Sequence, residues 1–310
     1  MLSNVTWLCF FASYVISAAL EGTRMLSKNS VSRWGALLFA AAGLVAQTAY
    51  LLTRSRAIEL PPLLSSGHDW LLVLAWLGVL MYLFVSLLDR SLGFGLFLLP
   101  VVVIVVGTAR FVSPLQSASL NAQRNWGMLH ASTWVLGAAG VVLGLVLSLM
   151  YLAQHHRLKH KQSSDGGLEL PSLERLSRLN WWAIVVSVPL LTVGVLSGVG
   201  LILFDTGPRL VDRLAEPSII ISSLLWAGMM VLFVWVLAQP RSSSRLVAWR
   251  TAWACGFLLL TLLVLQVLSR GGMHGMPRDQ PVVPGGAAVA GPRSGLILSG
   301  GGDEPGSGRP

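Results

Sequence analysis

Residues 126–153 open with Trp126-Gly127-Met128-Leu129-His130-Ala131-Ser132-Thr133-Trp134 and run on to Ala153 without a charged side chain. A helix of that length covers a bilayer core of about 30 Å. The same kind of run recurs along most of the chain, over about 3–20, 34–53, 69–88, 91–109, 126–153, 179–204, 218–239 and 249–269. The runs are apolar on all sides and lack the alternation of a β-barrel, so each must satisfy its own backbone as a helix. Only 11% of the 310 residues are charged and the mean hydropathy is +0.69, where a soluble domain carries about 25% charged residues. The sequence therefore predicts an all-α integral membrane protein, a bundle of about eight transmembrane helices over 1–270. Leu88-Asp89-Arg90 joins the third and fourth as a tight hairpin.

Basic residues orient the bundle. With the N-terminus outside, the segments 21–33, 89–90, 154–178 and 240–250 lie inside and hold twelve Lys and Arg, while the outer loops hold six and Arg270 with the tail beyond it makes four. Both termini are then expected outside. The first span has no Lys or Arg before it, so it lacks the basic start of a signal peptide and is expected to be retained. The most basic inner stretch, His155-His156-Arg157-Leu158-Lys159-His160-Lys161, is read as an anchor on anionic lipid. The net charge of +9 then reflects topology, and a nucleic-acid partner is not needed to explain it. Leu173, Leu176 and Leu179, with Arg175 and Arg178 between them, suggest an amphipathic lead-in at the inner interface before the sixth span. Trp181 and Trp182 are read as belt residues.

The tail 271–310 contains 12 Gly and 6 Pro and is expected to be disordered. Cys9 and Cys255 both fall within spans and form no Cys-x-x-Cys pair. Buried, inert thiols are the expectation. No Asp, Glu, Lys or Arg falls in the middle of a span, which counts against an ion-coupled transporter. Gly140 and Gly144, and Gly194 and Gly198, are spaced four apart and suit close helix packing.

Two histidines carry the chemistry. Trp126, His130 and Trp134 are spaced four apart and share a helix face at the outer end of the fifth span. His274 lies in Gly271-Gly272-Met273-His274-Gly275-Met276, just beyond the last span and on the same side. Two neutral imidazoles at one membrane face are what a heme iron takes as axial ligands. Arg124, Arg209, Arg213 and Arg270 are all outside and offer partners for propionates. The alternatives are an aromatic belt with His130 bonded to a backbone carbonyl, and solvated loop arginines. The thioethers and imidazole around His274 also suit Cu(I). His68, beside Asp69 and Trp70, reads either as a reserve ligand or as a polar helix start.

The ordered set of features resembles the cytochrome c assembly protein family, and within it the shorter HemX-like members. The set comprises Trp126 and His130 opening the fifth span, the basic exit 157–161, Leu170-Pro171-Ser172-Leu173-Glu174-Arg175-Leu176, then Leu191-Thr192-Val193-Gly194-Val195-Leu196-Ser197-Gly198, Gly256-Phe257, and a close near His274. The resemblance covers 120–275 well and the first four spans loosely. It implies non-covalent heme b held at the outer face of a bacterial cytoplasmic membrane by His130 and His274, with Trp126, Trp134, Arg124 and Arg270 around it. The implied partners are other cytochrome c maturation proteins and apocytochrome c. The family's heme-transfer members carry a tryptophan-rich WWD segment in an outer loop, and the loop 205–217 here has no Trp. The expectation is thus an assembly factor that hands heme on, with heme lyase activity unassigned. The competing expectations are a membrane scaffold or regulator of tetrapyrrole synthesis from the same lineage, and a small-solute transporter.

Overall fold

The structure is a computed structural model that describes residues 6–24, 30–88, 93–112, 124–159, 171–204, 217–238 and 244–268. The described residues are helical and contain no strand. The helices are α1 (Trp7–Thr23), α2 (Ser30–Ile58), the single turn α3 (Pro62–Ser65), α4 (Gly67–Leu88), α5 (Phe94–Ala109), α6 (Arg124–Lys159), α7 (Leu173–Phe204), α8 (Pro217–Ala238) and α9 (Ser244–Leu268). Each apolar run read from the sequence holds one long helix. Five helices, α2, α4, α6, α7 and α9, are long and apolar enough to cross a membrane, while α1 and α5 are shorter, at 17 and 16 residues. This is a multi-pass membrane protein. Phe84, Val231, Phe257 and other large apolar side chains point outward along the helices, as a hydrocarbon solvent permits.

Helix starts follow backbone chemistry. Pro62 and Pro217 stand at the first turns of α3 and α8, where a missing N–H costs nothing. Pro100 and Pro189 lie inside α5 and α7, as membrane helices tolerate. Neighbouring helices alternate in direction. The Trp7 indole at the start of α1 donates to the Val106 carbonyl near the end of α5 (3.3 Å). Arg33, early in α2, donates to the Ser86 carbonyl late in α4 (3.0 Å).

The main core joins α1, α2, α4, α5 and α6 around Phe10, Tyr14, Leu71, Leu98 and Met150 and takes in Leu176 of α7 and Leu259 of α9, while a smaller one joins α6, α7 and α9 around Ile184, Leu191 and Cys255. Helices α6, α7 and α9 belong to both cores. The glycine pairs do pack helices: a Cβ at Gly140 would lie 2.8 Å from the Ser187 side chain, and one at Gly144 would lie 3.4 Å from Cys255 Sγ.

Three expectations are corrected, and one feature the sequence left open is added. The basic stretch His155–Lys159 is helix, the end of a 36-residue α6 that is about 54 Å long at 1.5 Å per residue. Leaving the hydrocarbon does not end a helix, since its hydrogen bonds are internal. For the same reason Leu173–Arg178 is no separate interfacial segment but the first turns of α7, with Leu176 fully buried and Glu174 paired with Arg178 at 2.9 Å. Charge does enter the bundle at the helix ends. Glu21 is buried and held by Arg24 (2.7 Å) and the Tyr82 hydroxyl (2.7 Å), and Asp69 is buried against Arg54 (2.7 Å). Finally, Cys255 is buried as expected, but Cys9 is exposed on α1.

Candidate functional site

The N-terminal end of α6 presents an aromatic ladder, and α7 supplies the glycines it rests on. A Cβ at Gly194 would lie 2.8 Å from Trp134 Cδ1, and one at Gly198 would lie 2.8 Å from His130 Cε1. Both distances are closer than side chains pack, so only glycine at these positions admits the two rings. One at Gly200 would stand 3.9 Å from Trp126 Cζ3, an ordinary contact. The i, i+4 spacing of the aromatics on α6 thus meets the i, i+4 spacing of Gly194 and Gly198 on α7.

His130 is half-buried, and its Nδ1 lies 2.8 Å from the Gly194 carbonyl. A carbonyl only accepts, so Nδ1 carries the proton. The Ser197 hydroxyl donates to the same carbonyl (2.8 Å) and stands 3.4 Å from His130 Nδ1. Trp134 meets the imidazole edge-on, with ring centroids 6.3 Å apart. The neutral ring therefore keeps a lone pair on Nε2, for which no hydrogen-bond partner occurs among the described residues. This is the tautomer in which a histidine ligates a metal, with its other nitrogen oriented by a carbonyl. The donor set fits a heme iron.

His68 begins from the same device and ends differently. Its Nδ1 donates to the Ala109 carbonyl (2.7 Å), and Nε2 accepts from the Tyr50 hydroxyl (3.3 Å). The ring is 6% exposed. Asp69 beside it is tied to Ser65 and Arg54. His68 is a link between α2, α4 and α5, the polar-helix-start reading rather than the reserve ligand.

Trp126, His130 and Trp134 are brought together on α6. Arg124 begins α6, and its side chain is outside the described residues, as are Arg209, Arg213, Arg270 and His274. Among the described residues no group of three His, Cys, Asp or Glu could hold a metal ion; His160 of the basic stretch is not among them. Sequence reasoning missed Ser197 and the Gly194 carbonyl. The only signal was a serine directly before a packing glycine.

Residues 64–200 match the family model described as Cytochrome C assembly protein. The matched segment includes His68, the aromatic ladder and its glycines, and stops short of His274. Among curated proteins, the chain is similar to the cytochrome c biogenesis protein CcsA of Trieres chinensis, 27% identical over 170 residues, covering 44% of this chain and 54% of the relative. The CcsA of Chlamydomonas reinhardtii is 29% identical over 145 residues, covering 44% and 39%. That of Heterosigma akashiwo is 35% identical over 94 residues, covering 29% of each chain. The chain spans about half the length of the first of these relatives and less of the others. No solved structure matches it.

Proposed function

We propose, because residues 64–200 match the model of the cytochrome c assembly protein family, that this protein is a membrane heme-handling factor in cytochrome c assembly. His130 Nε2 is one axial ligand of a non-covalently held heme b, and His274 is the other. Trp126 and Trp134 flank the porphyrin, and Arg124 and Arg270 pair with its propionates. The chain belongs with the shorter HemX-like members, on its Trp-free outer loop. All eight long helices cross a bacterial cytoplasmic membrane, and both termini lie outside. The partners are other cytochrome c maturation proteins and an apocytochrome c that receives the heme.

The observation that carries this reading is the bond from His130 Nδ1 to the Gly194 carbonyl (2.8 Å). It fixes the ring orientation and leaves the ligating nitrogen unprotonated. Heme is the cargo, and bound heme supplies the iron that the imidazoles grip. The chain's own part is to orient His130, exclude water with two indoles and shed heme to a partner.

One observation favours the scaffold reading. His130 Nε2 would stand 3.8 Å from a Cβ at Gly198, so the ring also serves as packing between α6 and α7. Absorption spectra of detergent-purified protein, reduced minus oxidised, separate the two. A Soret band with sharp reduced bands, lost or shifted in His130→Ala and in His274→Ala, is the expected result. An unreactive wild type, even after reconstitution with hemin, leaves a scaffold or regulator.

A further inference from the structure

The inner end of the bundle contains a cavity that the heme reading does not use. It has a volume of about 730 Å³ and lies between the last turns of α6 and the first turns of α9. His155, His156 and Lys159 line it from α6, and Arg245 and Trp249 line it from α9. Among the described residues, no acidic side chain is in its lining. Lys159 and Arg245 are far apart in sequence, and folding brings both cations to one cavity. Like charges gathered there repel each other until an anion enters. The positive-inside rule asks only for basic residues near the inner ends and does not build a cavity.

A second observation selects the kind of anion. From the cavity mouth, α9 carries Leu246, Trp249, Trp253, Phe257, Leu260 and Val264 outward, all exposed. Their spacing of three and four keeps them on one face, so an apolar track leads from the basic cavity along the membrane-spanning helix. Trp249 and Trp253 meet edge-on with centroids 5.8 Å apart at its head. Tyr151 stacks on His155 (interplanar angle 8°), holding that imidazole parallel to its own ring on α6.

We propose that this cavity binds the phosphate headgroup of an anionic glycerophospholipid of the inner leaflet, with its acyl chains along the α9 track. Basic cavities between transmembrane helices on the inner side suit such headgroups. The site is independent of heme binding and lies at the opposite end of α6 from His130.

Native mass spectrometry of the full chain tests this. Protein released from detergent is offered dioleoyl phosphatidylglycerol or dioleoyl phosphatidylcholine in equal amounts. The wild type retains the anionic lipid through collisional activation and sheds the zwitterionic one. Lys159→Gln with Arg245→Gln lowers that retention about thirtyfold, the equivalent of about 1 kcal/mol for each of the two basic residues. Arg245→Glu alone lowers it too, which keeps the test decisive if the double variant is not recovered. Arg175→Gln with Arg178→Gln removes the same charge from exposed positions at the inner end and leaves retention unchanged. Equal retention of the two lipids, or full retention in the double variant, overturns the proposal. So does an equal loss in the Arg175 and Arg178 control. Displacement of the lipid by equimolar glycerol phosphate also overturns it, by making the ligand a soluble phosphate ester.

Discussion

His130 donates through Nδ1 to the carbonyl of Gly194, 2.8 Å away and 64 residues along the chain. The bond joins the first turns of α6 to the later turns of α7. It also decides which imidazole nitrogen is left to act. The Ser197 hydroxyl shares the same carbonyl, so the acceptor is held from two sides.

Gly198 sets the position of the ring. Gly198→Ala puts a methyl 2.8 Å from His130 Cε1, while Gly200→Ala puts one 3.9 Å from Trp126. The first substitution is expected to cost about 1–3 kcal/mol through overpacking and to weaken hemin binding. The second should leave both near wild type. Thermal unfolding in detergent and hemin titration of the two variants check this, and equal behaviour contradicts the packing argument.

His68 and His130 distinguish a structural histidine from the proposed ligand. Both nitrogens of His68 are engaged by protein, with Ala109 and Tyr50. His68→Ala is expected to lower stability by about 1–3 kcal/mol, the cost of stranding buried polar partners. The hemin spectrum of whatever folds should be unchanged. A lost Soret band in folded His68→Ala would transfer the ligand role to it.

The Arg54–Asp69 pair ties the end of α2 to the start of α4. Asp69 is 1% exposed, so Arg54→Met leaves a buried carboxylate without its cation. The expected loss is about 3 kcal/mol, at the lower end for buried pairs because Arg54 is itself partly exposed. Arg178→Met breaks an exposed pair with Glu174 and should change stability by less than about 1 kcal/mol. Denaturation midpoints of the two variants decide it.

Orientation is testable with two exposed positions at opposite ends of the bundle. In a Cys9→Ser, Cys255→Ser background, Ala57→Cys should react with a membrane-impermeant maleimide added to intact cells. Ser172→Cys should react only after the membrane is opened. The reverse pattern would invert the topology.

Much of this was legible in the sequence. Apolar runs without charge located a helix in each segment, because length and hydropathy are local properties. Trp126, His130 and Trp134 announced a shared face through their spacing, and the glycine pairs announced close packing. The partner of that face was not legible, since two i, i+4 patterns do not say which helix meets which. Helix ends were misread because basic side chains mark the edge of the hydrocarbon, whereas α6 and α7 continue beyond it. The burial of Asp69 was missed because it depends on Arg54 reaching it from another helix. The inner cavity needed Lys159 and Arg245 together, and no local pattern joins them.

In the proposed site His130 Nε2 grips heme iron while the Gly194 carbonyl holds the opposite nitrogen. The most direct measurement is the hemin absorption spectrum of His130→Gly, recorded without and with free imidazole. Loss of the wild-type bands in the variant, and their return when imidazole fills the vacated place, is the predicted result. Wild-type bands in His130→Gly before any imidazole is added would contradict the claim.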